Sequence, residues 1–163
     1  MRNSVRFTKV DNIYKAYIVN TLIKQGNRII DGDGEMEKIE QKVHCEPDTP
    51  PFGCYCYGYV DDKAKLVILD EDIVGFYIYL PPSISYIFPV ISHIYVDYRF
   101  RNIGIATKIV EDFMNMYPDE KYLALDSPCN AMINVLIKMG LIEEMDNKLK
   151  PTGRLHIVSL PCV

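Results

Sequence analysis

The sequence predicts a single α/β domain with a mixed sheet and helices on the faces of the sheet. The chain has 163 residues, which is enough for one packed core and short for two. Hydrophobic residues make up 48% and charged residues 25%, as in a globular protein and unlike a disordered one. Segments with the apolar spacing of strands alternate with segments that have the spacing of helices. We therefore treat 1–163 as one domain.

The amino-terminal part predicts a strand followed by a helix. Residues 5–10 (VRFTKV) have the composition of a short strand, and Asp11 can cap a helix whose apolar stripe covers 14–22. From 25 to 52 the pattern gives way to glycine, proline and charge, with thin apolar support for a second helix at 35–42. We interpret 25–52 as a variable loop and helix region.

A meander of strands is predicted next, at 54–60, 65–71 and 73–80. Pro81 and Pro82 end it. Residues 86–97 (YIFPVISHIYVD) then predict a long strand, in which Pro89 indicates a bulge or an unpaired position, because proline has no N–H for the ladder.

Two amphipathic helices are predicted in the second half of the chain. Residues 104–117 have one apolar stripe at helical spacing, and a strand at 121–126 follows. Ser127 before Pro128 indicates the start of the second helix, and Gly140 indicates its end.

Two closing strands are predicted at 141–145 and 155–160. The segment between them, NKLKPTGR, contains proline and glycine and predicts a turn.

The loop RNIGIA at 101–106 precedes the first of these helices and has the features of an anion site. A helix begins with about four N–H groups that lack intrahelical partners, and its dipole adds partial positive charge there. Gly104 can adopt backbone angles that larger residues resist, and Ala106 keeps the surface shallow. Arg99 and Arg101 add long-range attraction. A diphosphate could therefore approach the main chain closely here.

The segment SHIYVDYRFRNIGIATKIVEDF (92–113) resembles the acetyl-CoA-binding motif of the GNAT superfamily of N-acetyltransferases. That pattern is Arg or Gln, two residues, Gly, one residue, and Gly or Ala, after a strand that ends in an apolar-x-Val. The segment SPCNAMINVLIKMGLIEE (127–144) resembles the second family signature, an asparagine followed by a helix that ends in Gly and an apolar residue. With the order of elements, the resemblance spans residues 5–160.

The resemblance implies a fold and an activity. The fold would be a mixed, mostly antiparallel twisted sheet of six to seven strands, flanked by about four helices. The activity would be acetyl-CoA-dependent transfer of an acetyl group to a primary amine, by direct attack of the amine and without an acyl-enzyme intermediate.

The resemblance also implies how acetyl-CoA would be held. Main-chain N–H groups of the loop would hold the diphosphate with help from the Thr107 hydroxyl, and the backbone of a strand would pair with the pantetheine arm. An asparagine of the second helix would face the arm from the other side, although both asparagines fit helix-start hydrogen bonding or solvent exposure equally well. The residues implied are Ile94, Val96, Arg101, Asn102, Ile103, Gly104, Ile105, Ala106, Thr107, Asn130 and Asn134.

The resemblance leaves the general acid unassigned. Family members commonly place a tyrosine four residues before the glycine that ends the second helix, and here that position is Leu136. Tyr95, Tyr98, Tyr122 and Cys129 are the alternatives, and solvent could protonate the thiolate directly.

The candidate catalytic residues are Ser92, His93 and Tyr95. Histidine titrates near neutrality and suits a general base. Strand alternation, however, predicts Ser92 with Ile94 and Val96 on one face, and His93 with Tyr95 on the other. The match to the family's catalytic strand positions favours the Ser92 face, with Ser92 ordering a water relay and His93 as the alternative base.

Metal binding is not expected. His44, Cys45, Cys54 and Cys56 are zinc-type ligands, but their spacing departs from paired CxxC motifs. DGDGE at 31–35 lacks the remaining ligands of a calcium loop and its closing glutamate.

Charge and segment composition limit the partners and the location. A net charge of -4 argues against nucleic acid as a partner and mildly favours cationic amine acceptors, such as polyamines, aminoglycosides, protein lysines or a protein N-terminus.

No apolar run approaches the roughly 20 residues of a membrane span, and no secretory signal is recognisable. Five cysteines do not form the even framework of a disulfide scaffold. We expect a cytoplasmic protein without membrane contact, and a homodimer stays open.

Two other functions stay open. The first is a binding protein that keeps the fold without useful turnover, such as a viral inhibitor of a host protein, and Leu136 supports it. The second is a phosphate-binding module for another nucleotide, although no P-loop lysine motif or Rossmann GxGxxG is present.

Overall fold

The computed structural model describes residues 4–9, 63–83 and 87–159. The predictions for the helix after Asp11, for the variable region, for the strand at 54–60 and for metal ligands among residues 31–56 lie outside these ranges. No helix within them is both long enough and apolar enough to cross a membrane.

The described part contains eight strands and two α-helices. They are β1 (Val5–Lys9), β2 (Lys63–Leu69), β3 (Asp72–Leu80), β4 (Val90–Val96), α1 (Ile105–Met116), β5 (Leu123–Asp126), α2 (Asn130–Lys138), β6 (Ile142–Met145), β7 (Lys148–Pro151) and β8 (Leu155–Val158). Six strands form one sheet in the order β1-β2-β3-β4-β5-β8, and β6 pairs with β7 separately. The first three pairings of the six-stranded sheet are antiparallel and the last two are parallel. The predicted mixed sheet of six to seven strands is confirmed.

Helices α1 and α2 pack on one face of this sheet, which we call the helix face. From α1, Ile109, Val110 and Phe113 are buried there, and Leu136 of α2 joins the same core. The sheet contributes apolar residues from every second position of its strands, because successive side chains point to opposite faces. They are Val67, Leu69, Tyr77, Tyr79, Ile91, Leu123, Leu125 and Leu155, together with Val74 at the irregularity in the pairing of β2 with β3.

A polar contact also joins α1 to the helix face. Lys65 Nζ lies 2.9 Å from Asp112 Oδ2, and the Tyr77 hydroxyl donates to the same oxygen at 2.5 Å. Burial, together with the hydrogen bond to Asp112, raises the pKa of Tyr77, so this side chain remains a hydroxyl donor. The contact gives α1 a directional attachment that apolar packing alone does not provide.

The predicted strand at 86–97 is shorter in the structure. It begins at Val90, directly after Pro89, whose carbonyl accepts from the Ala124 N–H at 3.1 Å. The predicted irregularity lies slightly later, because Ile78 pairs with His93 and Tyr79 pairs with Ile91. One residue of β4, Ser92, is therefore extra, and β4 has a bulge at this residue.

Two predicted boundaries in the second half are wrong. Ser127 does not cap α2: its φ is +46°, its N–H donates to the Val158 carbonyl at 2.8 Å, and Cys129 occupies the N-cap position. Pairing of β5 with β8 determines the backbone there and overrides the local capping preference. The predicted turn NKLKPTGR contains β7, because the actual turn is only Asp146–Asn147, both with positive φ as a two-residue hairpin requires. The predicted end of α2 at Gly140 is confirmed.

Candidate functional site

Strands β4 and β5 stop pairing after the first two residues of β4. Only Val90–Ala124 and Ile91–Leu125 form parallel pairs. Beyond them β4 continues to Val96 along β3, whereas β5 ends at Asp126 along β8. We call the space that begins past the Ile91–Leu125 pair the β4–β5 opening.

The register of β3 and β4 shows which backbone groups point toward this opening. The Asp97 N–H donates to the Val74 carbonyl at 2.7 Å, which marks a hydrogen-bonded pair. Because such pairs alternate in an antiparallel ladder, Val96 and Ile94 occupy non-hydrogen-bonded positions opposite Gly75 and Tyr77. Their N–H and C=O groups therefore point away from β3, toward the β4–β5 opening.

The loop between β4 and α1 is held by its own arginines. The buried Asp97 carboxylate accepts from the Arg99 main chain and guanidinium at 2.9 to 3.2 Å, and these hydrogen bonds hold the pKa of Asp97 below its usual range. The charge of Arg99 is thus balanced within the loop. Arg101 Nε donates to the Val96 carbonyl at 2.8 Å, and its guanidinium carbon lies 5.9 Å from the Tyr95 ring centroid. Arg101 therefore ties the loop to the end of β4 and also contributes positive charge.

The amino end of α1 has no side-chain cap. Gly104 occupies the N-cap with φ +91°, a left-handed conformation that favours glycine, and Asn102 also has positive φ, at +63°. The first intrahelical hydrogen bond runs from the Lys108 N–H to the Gly104 carbonyl at 3.1 Å. The N–H groups of Ile105, Ala106 and Thr107 precede it, so they have no intrahelical acceptor.

The side chains of this loop have unequal exposure. Arg101, Asn102 and Ile103 are exposed, whereas the Ile105 side chain is buried in the core below α1. Ala106 and Thr107 are half-buried. Ile105 can therefore contribute to an anion site only through its main chain.

Helix α2 begins just after the end of β5. Asn130 is its first residue, Asn134 follows one turn later, and both are exposed, as is the Cys129 thiol. Leu136 is completely buried in the core shared with α1. Leucine carries no proton that it could donate to the leaving thiolate.

Of the other candidate proton donors, Tyr122 is not brought to the opening. The Tyr122 ring stacks on His156 at 3.8 Å, just before the first residue of β5, at the opposite end of that strand from the opening. The side chain of Tyr98 lies outside the described part.

The bulge decides where the candidate catalytic residues of β4 lie. Ser92 is the extra residue, and its hydroxyl donates to the Ile78 carbonyl at 3.4 Å. After the bulge, Ile94 and Val96 pack against the helix-face core, while His93 and Tyr95 are on the opposite face, beside Ile78 and Phe76. The expected alternation holds from His93 to Val96, but Ser92 does not share the face of Ile94, because the bulge breaks the two-residue period.

His93 and Tyr95 are both desolvated. Burial lowers the pKa of His93, and hydrogen bonding with the Ser92 backbone and the charge of Asp126 oppose this effect. Tyr95 is 7% exposed, and burial raises the pKa of its phenol. Its hydroxyl has no hydrogen-bond partner, the single such buried side-chain group in the described ranges. Sequence reasoning missed Asp126, whose position beside His93 depends on the bulge and on the pairing of β5.

The chain resembles solved acetyltransferases in fold. No protein-family model and no curated protein sequence matches it. A ribosomal-protein-alanine N-acetyltransferase from Brucella melitensis biovar Abortus 2308 superimposes with a TM-score of 0.54 at 15% identity, over 83% of this chain and 90% of that one. An aminoglycoside acetyltransferase from an uncultured soil metagenomic sample gives 0.56 at 16% identity, over 92% and 99%.

A third solved structure bears the family name. It is described as a GNAT-family acetyltransferase from Desulfovibrio desulfuricans and gives a TM-score of 0.54 at 11% identity, over 87% of each chain. At these identities the similarities establish the fold alone. The chain has the fold of the GNAT acetyltransferases, as its sequence predicted.

Proposed function

We propose that this chain, which has the GNAT fold, is an acetyl-CoA-dependent N-acetyltransferase that moves an acetyl group to a primary amine by direct attack. The proposal rests chiefly on the uncapped amino end of α1, which the loop 97–104 connects to the end of β4 beyond its pairing with β5. An anion-binding helix end beside a strand whose Ile94 and Val96 backbone groups point away from β3 suits a ligand that has both a diphosphate and an amide-containing arm.

The loop fits a diphosphate. The N–H groups of Ile105, Ala106 and Thr107 would donate to its oxygens, and Gly104 leaves open space, since a Cβ placed there would meet no atom within 4 Å. Arg101 and Asn102, both exposed, would line its approach, with the Ile103 N–H beside them. These are the donors of an anion-binding backbone concavity, reinforced by the helix dipole.

The opening fits an arm with amide groups. The N–H and C=O of Ile94 and the N–H of Val96 would pair with the arm in the manner of an added strand, while the Val96 carbonyl already accepts from Arg101. Asn130 or Asn134 would approach the arm from α2, because both are exposed on that helix. When bound, acetyl-CoA supplies a thioester whose carbonyl carbon accepts the amine and whose thiolate leaves.

The acceptor is a primary amine of a small molecule or of a protein. Two structural neighbours are described as acting on an aminoglycoside and on a ribosomal-protein alanine, which represent these two classes. The net charge of -4 favours cationic acceptors in either class.

The cytoplasmic location and the homodimer stay predictions.

The direct test is thiol release from acetyl-CoA over a panel of amines, together with the Kd of CoA from calorimetry. Gly104→Glu places a carboxylate at the proposed diphosphate site. Gly140→Glu is the matched control, since Gly140 also has positive φ, at +74°, and open space around its Cβ position. The two substitutions share the backbone strain and the charge change but not the location.

We expect Gly104→Glu to weaken CoA binding at least tenfold and to abolish thiol release, because the added charge repels the diphosphate. Gly140→Glu should keep the wild-type Kd. Equal Kd values for the two variants would contradict the proposed site.

A binding protein that keeps the fold without turnover is the second candidate. Complete burial of Leu136, at the position where family members commonly have tyrosine, favours it. Tight CoA binding without thiol release for any amine would support this candidate over the enzyme. Stabilisation by ATP but not by CoA in a thermal-shift series would instead indicate a module for another nucleotide.

A further inference from the structure

Two titratable side chains lie on the opposite face of the sheet where the β4–β5 opening begins, and the proposed cofactor site uses neither. Asp126 is the first residue of β5 after the last pair with β4, and it follows Leu125, which belongs to the helix-face core. Its side chain is therefore on the opposite face, like that of Ala124. His93 is on the same face of β4.

The bulge brings His93 to this position. Ile91 is on the helix face, so regular alternation would put Ser92 on the opposite face and return His93 to the helix face. Because Ser92 is extra, His93 takes the next position on the opposite face instead. Neighbouring strands are about 4.8 Å apart where they still pair, and His93 and Asp126 are the first side chains on this face past that point.

The Asp126 carboxylate is held in place from its own strand and from β8. The Ser127 hydroxyl donates to Asp126 Oδ1 at 2.9 Å, and the Ser127 N–H donates to the Val158 carbonyl at 2.8 Å. Ser127 adopts φ +46°, an uncommon conformation for a residue with a side chain, and the pairing with β8 maintains it. Such anchoring limits the orientations that the carboxylate can adopt.

The position of α1 assigns the two sheet faces to the two substrates. The helix lies on the helix face, so a cofactor whose diphosphate is held at the amino end of α1 would extend its arm into the opening from that side. The amine then has to reach the carbonyl carbon from the opposite face, where His93 and Asp126 lie.

We propose that His93 is the general base for the acceptor amine and that Asp126 is its positioning residue, on the opposite face of the β4–β5 opening. This inference rests on the proposed function. His93 takes one proton from the substrate ammonium and frees its nitrogen lone pair. The nitrogen attacks the thioester carbonyl carbon, so that a C–N bond forms and the C–S bond breaks. The second proton passes to the thiolate of CoA, and His93 returns its own proton to solvent.

The Asp126 carboxylate suits the role of positioning residue for His93. A carboxylate beside an imidazole orients the ring and stabilises the imidazolium that forms. The other titratable side chains that the described neighbouring strands present on this face are Tyr95 of β4 and His156 of β8, while β3 presents the apolar Ile78. Burial keeps His93 neutral near pH 7, so it is ready to accept a proton, and the charge of Asp126 partly offsets the lowering of its pKa.

The test compares wild type, Asp126→Asn, Asp126→Glu and His93→Gln. An NMR titration of the His93 imidazole should give a lower pKa in Asp126→Asn, since the neighbouring negative charge is lost. Thiol release should fall at least tenfold in kcat for Asp126→Asn and for His93→Gln, with the acetyl-CoA KM unchanged. Asp126→Glu should recover part of the rate. Asp119→Asn, which removes an exposed carboxylate before β5, is the control and should match wild type in every measurement.

The acidic limb of the kcat/KM profile gives a further readout. It reports the pKa of the free base, so it should move to lower pH in Asp126→Asn together with the NMR value. A merely structural role would lower the amount of folded protein without moving this limb.

The outcomes separate this inference from the proposed function. If wild type transfers acetyl groups and Asp126→Asn keeps both the rate and the His93 pKa, only this inference is overturned. If wild type binds CoA but releases no thiol with any amine, the base role is overturned together with the enzyme function.

Discussion

Tyr95 combines deep burial with a hydroxyl that lacks a hydrogen-bond partner in the described part of the chain. Its ring packs against Phe76, with 5.5 Å between the ring centroids. Leaving such a donor unpaired costs roughly 1–3 kcal/mol, so a phenylalanine would be the more stable choice at this position. Unsatisfied buried groups are frequent where function requires them. Stability and activity should therefore respond in opposite directions here.

We predict that Tyr95→Phe raises the free energy of unfolding by about 1 kcal/mol and lowers the rate of acetyl transfer. The rate falls because the hydroxyl lies on the face where we propose that the amine approaches. Urea denaturation and thiol release measure the two effects. Tyr122→Phe, on a tyrosine that is 38% exposed, is the control and should change neither. Loss of stability in Tyr95→Phe would show that the hydroxyl has a partner.

At the scale of elements, α1 has to be both buried and correctly oriented, because its amino end forms the proposed anion site. Apolar packing buries Ile109, Val110 and Phe113 but is non-directional. The contact of Asp112 with Lys65 and Tyr77 is directional and lies two turns from the amino end. We expect it to fix the rotation of α1 over the sheet.

We predict that Asp112→Asn destabilises the protein by about 2–3 kcal/mol, because the Lys65 ammonium, 10% exposed, loses its carboxylate partner. CoA affinity should fall as well, since the rotation of α1 is less restricted. Glu111→Gln is the control: its pair with Lys108 spans 3.6 Å and is about half exposed, so the change should stay below about 0.5 kcal/mol. Similar denaturation midpoints for the two variants would refute the role assigned to Asp112.

Folding partly removes the His93 imidazole from water, and this affects the stability of the molecule as well as its chemistry. The folded pKa of His93 is below its ordinary value of 6.5. As pH falls through 6.5, the His93 imidazole takes up a proton in the unfolded chain, whereas in the folded chain it takes up this proton only at a lower pH. Stability is therefore complete above about pH 6.5 and is lost as pH falls toward the folded pKa.

We predict that wild type loses more stability than His93→Gln between pH 7.5 and 5.5, by at most about 1.4 kcal/mol per pH unit. Urea denaturation at a series of pH values measures the difference. Asp97 does not contribute to this difference. Its pKa is below its ordinary value of 3.8, so it titrates only below the pH range of the experiment. Parallel curves for the two proteins would mean that His93 titrates alike in both states.

Local sequence patterns predict the fold class, both described helices, most of the described strands and the loop that ends in Gly104. These features depend on local physics: apolar periodicity, backbone freedom at one glycine, and unpaired amides at a helix start. Predictions failed where distant pairing took over. The Ser127 N–H bonds to the Val158 carbonyl of β8, so Ser127 does not cap α2. Strand β7 forms where the sequence predicts only a turn.

Which side chains meet at the β4–β5 opening depends on the pairing of segments that are distant in the sequence. The bulge at Ser92 reverses the face of every later residue of β4, and β5 brings Asp126 to the same face as His93. Neither effect is encoded within one segment, because strand register is a property of two paired segments and a one-residue shift reverses every side chain.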